Sequence, residues 1–183
     1  LTVKYDPSGN ELWAETYDFG IGDIDVATAI ALDSAGNAYV TGYSKTNDSD
    51  FDYVTVIYDP SGSVNFFAGY DGDGMEDKAW GIIVDTSGNV YITGSSKYSD
   101  TDFDYLTVKY NDSGNLQWNT QYDGATMEDA AQAISLDNQG NLIVTGYSKG
   151  KYSDYDFTSI IYEELAANLV EIKWIDRYDG FYK

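Results

Sequence analysis

One phrase recurs along this chain at a fixed step. Asp-x-x-Gly-Asn-x-x-(Val/Ile)-Thr-Gly begins at Asp33, at Asp85 and at Asp137, 52 residues apart each time. A strict period near 50 residues restricts a chain to stacked copies of one supersecondary unit. It also changes where function is to be sought. Features common to every unit keep the fold, and function sits where units differ or meet.

The repeat runs through the whole unit. Asp50-Phe51-Asp52-Tyr53 returns as Asp102-Phe103-Asp104-Tyr105 and as Asp154-Tyr155-Asp156-Phe157. Trp13, Phe66, Trp118 and Trp174 correspond, as do Tyr17, Tyr70, Tyr122 and Tyr178. The step from Trp118 to Trp174 is 56 rather than 52, so about four residues are inserted there, with 163–168 replacing a tight turn. Terminal repeats are commonly atypical because they cap an array. The C-terminus therefore reads as a natural end and the N-terminus as a cut through a unit.

Each unit holds four strand-like stretches separated by turn signals. In the type unit these are 78–84, 90–94, 104–110 and 115–122. The turns carry Gly and Asn, which supply the positive φ of tight hairpins. Four short antiparallel strands per 52 residues is the blade of a β-propeller. The first strand is rich in small residues (Ala27, Ala29, Ala31; Ala79, Gly81; Ala131, Ala133, Ser135), which suits strands crowded around an axis. The fourth carries the bulky Trp13, Phe66, Trp118 and Trp174, where blades fan apart.

The stretch Asp85-Thr86-Ser87-Gly88-Asn89-Val90-Tyr91-Ile92-Thr93-Gly94, with Asp104-Tyr105-Leu106-Thr107-Val108-Lys109-Tyr110 and Ser113-Gly114-Asn115, resembles the SBBP-type β-propeller repeat. The family name refers to seven-bladed propellers. The resemblance implies an all-β propeller fold and a secreted or surface-displayed protein of a bacterium or archaeon. It brings no shared catalytic motif, so it implies no functional residue.

The organisation expected is one repeat domain over 1–183: half a blade at 1–22, blades at 23–74 and 75–126, and a divergent terminal blade at 127–183. That makes about three and a half blades. A ring takes at least about four, so the chain is not expected to close alone. Missing upstream blades, assembly with other chains through exposed edges and an open half-ring are the three readings.

Composition narrows the function. There is no Cys and no His, which excludes cysteine nucleophiles, disulfides, zinc sites of the usual kind and the Ser-His-Asp triad. A net charge of −21 opposes nucleic-acid binding and anionic membranes. No apolar run approaches the roughly 18 residues that span a bilayer.

Two acidic groups stand out. Asp48, Asp50 and Asp52, repeated as Asp100, Asp102 and Asp104, have a spacing that lets one curled loop offer three carboxylates to calcium. The bland alternative is solvated loop acids that cap turns. The second group precedes the first strand of each unit: Asp71, Asp73, Glu76 and Asp77, with counterparts Asp18, Asp23 and Asp25, and Asp123, Glu128 and Asp129. Asp25, Asp77 and Asp129 share one register, which would set them around one mouth of a propeller channel, there to hold a cation or steer a cationic ligand. The alternative is that each accepts backbone N–H groups of its own loop. Repetition argues against a glycoside-cleaving carboxylate pair, which is normally unique. The Tyr and Trp content would suit a glycan surface, although Trp at a repeated strand position is first a core residue.

The function expected is a non-catalytic, extracellular or cell-surface propeller scaffold. Its partners would be copies of itself or other propeller chains, met through the edge at Leu1, Val3, Tyr5, Trp13 and Tyr17. A calcium- or ligand-binding module with an acidic channel mouth is the rival from another class.

Overall fold

The computed structural model describes residues 1–18, 24–45, 50–72, 74–98, 102–124, 127–150, 154–166 and 169–178. Among them there are fourteen strands and no helix. β1 (Thr2–Tyr5) and β2 (Glu11–Glu15) pair as a two-stranded sheet. Three four-stranded antiparallel sheets follow. The first holds β3 (Asp25–Leu32), β4 (Ala38–Lys45), β5 (Phe51–Tyr58) and β6 (Val64–Tyr70). The second holds β7 (Asp77–Val84), β8 (Val90–Lys97), β9 (Phe103–Tyr110) and β10 (Leu116–Tyr122). The third holds β11 (Asp129–Leu136), β12 (Leu142–Lys149), β13 (Tyr155–Ala166) and β14 (Leu169–Tyr178). Each sheet runs up and down in chain order, and neighbouring sheets stack through β3, β7 and β11. These are propeller blades, three whole and one half.

The repeated Asp-x-x-Gly-Asn phrase is a turn that satisfies itself. Asp85 Oδ1 accepts from the N–H of Ser87 (2.8 Å) and of Asn89 (2.9 Å), and Oδ2 accepts from the Asn89 side-chain amide (2.7 Å). Asp33 and Asp137 do the same with Asn37 and Asn141. Gly88 closes the turn at φ 84°, a conformation that costs a side chain and suits glycine. The same hydrogen bonds hold the carboxyls of Asp33 and Asp137 below the usual aspartate range, against the opposing pull of burial.

The Thr-Gly end of the phrase has a different cause. Each first strand carries a bulge, seen as a register shift at Ala27/Ala29, Ala79/Gly81 and Ala131/Ala133. The strand carbonyl beside the bulge is aimed at the glycine opposite. A Cβ on Gly42, Gly94 or Gly146 would lie 1.8 Å from Val26 O, 2.0 Å from Lys78 O or 2.0 Å from Ala130 O. The glycine is there because the bulge leaves no room for a methyl group.

Each blade junction has its own core. The half blade meets the first blade through Trp13 and Tyr17, set against Val54, Val56 and Tyr58. Tyr53, Ile57, Ile82, Ile92, Leu106 and Val108 fill the next junction. Tyr105, Trp118, Leu142, Val144 and Ile160 fill the last. The small residues of the first strands permit the close approach, since a Cβ on Gly81 would be 3.3 Å from Ala133 Cα. Hydrogen bonds also cross the junctions at a repeated step. Tyr53 Oη donates to Leu106 O (3.4 Å) and Tyr105 Oη to Thr158 O (3.2 Å).

The insertion after Tyr162 lengthens a hairpin instead of adding a loop. β13 runs for 12 residues, and Glu163 and Glu164 pair with Glu171 and Val170 of β14. The longer hairpin brings Glu164 to Lys109 of the preceding blade. Both carboxylate oxygens accept from Nζ, at 2.7 and 2.6 Å.

Candidate functional site

The site is composed from two blades at a time. In each whole blade the first residue of the first strand is in register with a serine, and that serine with an aspartate of the third strand. These rows are Asp25–Ser44–Asp52, Asp77–Ser96–Asp104 and Asp129–Ser148–Asp156. Stacking then sets the third-strand aspartate of one blade beside the first-strand aspartate of the next. The segment that links the two blades adds one more. Asp52, Asp71 and Asp77 bring carboxylate oxygens within 4.8 Å of one another, and Asp104, Asp123 and Asp129 repeat the arrangement 52 residues on.

The two triads are not equivalent. In the first, Asp77 is fully buried, and its Oδ2 accepts from Gly72 N–H at 2.7 Å and its carboxyl from the Ser96 hydroxyl. Its Oδ1 has no hydrogen-bond partner. Burial first, then the charges of Asp52 and Asp71, push its pKa up to about 7, against the lowering effect of the two hydrogen bonds. The nearby lysines are engaged elsewhere. Lys78 pairs with Glu76 and sits over the rings of Tyr43 and Phe51, and Lys97 reaches Glu76 at 3.6 Å.

In the second triad, Asp129 has both oxygens occupied. Oδ1 accepts from Lys149 N–H (3.2 Å) and Oδ2 from Gly124 N–H. Burial raises the pKa of Asp129, against the lowering effect of hydrogen bonds from Ser148, Gly124 and Lys149 and, last, of the Arg177 guanidinium, which is itself hydrogen-bonded to Ser148. Arg177 also stands 3.7 Å from Asp156. In the blade before, Gln121 occupies the place of Arg177 and donates to Ser96 (3.3 Å). Asp104 is pushed up to about 7, by burial first and then by Asp123, Asp129 and Asp102.

The sequence-derived candidates are thus redistributed. Asp52 and Asp104 come together with Asp77 and Asp129, whereas Asp50 and Asp102 stand outside the clusters found among the described residues. Asp48 and Asp100 lie outside the described residues. Asp25 is partly exposed and accepts from Ser44 Oγ at 2.5 Å. Asp77 and Asp129 are buried at blade junctions. Residue-by-residue reading missed Ser44, Ser96 and Ser148, and it kept the two acidic groups apart. The signal was present, since Asp52, Asp71 and Asp77 all recur at the same step of 52.

The edge residues divide as well. Leu1 and Tyr5 are exposed, and Val3 partly so. Trp13 is wedged onto the turn of the next blade, where a Cβ on Gly62 would come within 2.8 Å of its ring, and its Nε1 donates to Pro60 O (3.1 Å). Tyr17 packs toward Phe67 with ring centroids 6.5 Å apart. Phe66 repeats the wedge on Gly114.

Residues 16–50 and 76–100 match the model of the SBBP β-propeller repeat. No curated protein sequence matches this chain. Among solved structures, a protein of unknown function from Bacteroides caccae superposes with a TM-score of 0.54 at 14% identity, over 93% of this chain and 51% of that one. The likeness is one of fold, and this chain spans about half the length of that structure. A fucose lectin from Kordia zhangzhouensis, solved with methyl-fucoside, aligns with a TM-score of 0.43 at 17% identity, over 86% of this chain and 99% of that one.

Proposed function

We propose that this protein is a non-catalytic, extracellular propeller scaffold that assembles with further copies of itself through the two end faces of its blade stack. The observation that carries the reading is a contrast between equivalent positions. Ile82 is 9% exposed inside the stack, and its counterpart Ile30 on the N-terminal face is 59% exposed. Trp118 is 6% exposed, and its counterpart Trp174 on the terminal blade is 48% exposed. The end faces thus resemble the two halves of an interior blade junction, which makes them complementary in a head-to-tail sense. Between the half blade and β3–β4 runs a small groove of about 60 Å³ lined by Leu1, Thr2, Val40 and Tyr58. It lies beside the β1 edge, where an added strand would find backbone groups to pair with.

A non-catalytic role is supported by the recurrence of the junction carboxylates, because a catalytic pair is normally unique. A place outside the cell is in keeping with the acidic charge of −21 and with the secreted proteins the repeat resembles.

The test is solution mass by light scattering across a concentration series. Masses rising in multiples of 20.3 kDa are expected, with Trp174→Ser and Ile30→Ser each reducing them. A constant mass of 20.3 kDa at every concentration would overturn self-assembly.

A further inference from the structure

The two carboxylate triads share one design, but only the first leaves a buried carboxylate oxygen without a partner. A buried acceptor without a donor is rare in native structures and calls for an ordered water, an ion or a functional role. Asp77 Oδ1 is such an acceptor, and it belongs to a carboxylate whose neighbours are two further carboxylates, Asp52 and Asp71. A cation answers both the unfilled lone pairs and the mutual repulsion.

We propose that Asp52, Asp71 and Asp77 bind one calcium ion at the junction of the first two whole blades. The chemistry of the donor set selects the ion. Calcium takes six to eight hard oxygen ligands at about 2.3–2.6 Å, so opposite ligands stand about 4.6–5.2 Å apart. The oxygens here lie within 4.8 Å of one another, which fits inside that sphere. Magnesium usually takes only one or two carboxylates and keeps its waters. Zinc sites draw on Cys and His, and the chain has neither.

The second triad does not bind in the same way. Its buried member, Asp129, already accepts from Lys149 N–H and Gly124 N–H, and Arg177 supplies a fixed positive charge beside it. Arg177 replaces the Gln121 of the preceding blade, so the terminal unit carries its own cation where the interior unit takes one from solution. The site therefore ties three parts of the array together: the third strand of one blade, the linking segment, and the first strand of the next.

The test is isothermal titration of the chain with calcium chloride, to about 10 mM, after treatment with a chelator. One ion per chain is expected. Asp71→Asn should weaken binding at least roughly tenfold. Asp71 is exposed, so this variant is expected to fold, and a circular dichroism spectrum matching wild type checks it. Asp123→Asn, the equivalent change in the second triad, should leave binding unchanged. Magnesium should compete at least roughly tenfold less well than calcium. Absence of calcium binding, binding indifferent to Asp71→Asn, or two equal sites each overturns the proposal.

Discussion

Replacing Gly94 by alanine tests the account of the repeated Thr-Gly phrase. The added Cβ would lie 2.0 Å from Lys78 O, 2.6 Å from Tyr53 Oη and 2.9 Å from Ala79 Cα. Two of these atoms are backbone, so no rotamer change relieves the contact. An ordinary carbon–oxygen contact is about 3.2 Å or more, and the carbonyl must retreat by roughly 1 Å. Overpacking of this kind costs about 1–3 kcal/mol. The hydroxyl of Tyr53 is also pushed from Leu106 O, a cross-junction bond worth about 1 kcal/mol. The sum is about 3 kcal/mol. For a chain of this length each kcal/mol moves Tm by about 2–4 °C. A fall in Tm of roughly 10 °C is therefore expected in differential scanning calorimetry. Gly140→Ala is the control. Gly140 has a φ of 85° and nothing within 4 Å of its would-be Cβ, so it loses only the backbone term of about 1–2 kcal/mol. If Gly94→Ala melts at the wild-type temperature, or above Gly140→Ala, the bulge does not explain the glycine.

Four further outcomes follow from the structure. Trp118→Ala should cost about 3–5 kcal/mol in urea unfolding, and Trp174→Ala under about 1 kcal/mol at concentrations too low for assembly. Glu164→Gln leaves the Lys109 ammonium, which is largely buried, without its counter-charge and should cost about 2 kcal/mol by the same assay. The raised pKa of about 7 at Asp77 and at Asp104 sets a direction with pH. Their folded-state protonation stabilises the fold fully below the ordinary aspartate value of 3.8, and that contribution is lost as pH rises through about 7. In chelator, Tm should thus be higher at about pH 5 than at about pH 8, provided the pH stays above the range in which Asp33 and Asp137 protonate. A Tm unchanged or rising across that interval would refute the assignment. Asp85→Ala removes the acceptor for three turn bonds and should cost about 1–2 kcal/mol by thermal unfolding.

The parts of this protein legible in its sequence are those determined within one unit. The step of 52, the self-satisfying Asp-x-x-Gly-Asn turn and the four strands per blade depend on residues close together in the chain, and the propeller follows from them. What was not legible depends on stacking. Asp52 and Asp77 are 25 residues apart and belong to different blades, so nothing local says that their carboxylates meet. Trp13 reads as an edge residue until Gly62 is seen beneath it. The bulge at Ala79/Gly81 leaves no signature of its own, and only the glycine opposite records it. The segment after Tyr162 reads as a replaced turn, whereas pairing of Glu163 with Glu171 makes it a longer hairpin.

That longer hairpin gives the array a polarity. A stack of units that touch only their neighbours loses order from whichever end is held least. The terminal blade is clasped by Glu164 on Lys109 across the junction. The half blade, by contrast, has two strands and leans on Pro60 through Lys4 Nζ (2.9 Å) and Trp13 Nε1 (3.1 Å). Fraying should therefore start in the half blade and spread from there into the whole blades. Amide protons of β1 and β2 would exchange first, and a protease added under native conditions would cut the half blade before it could attack the three whole blades.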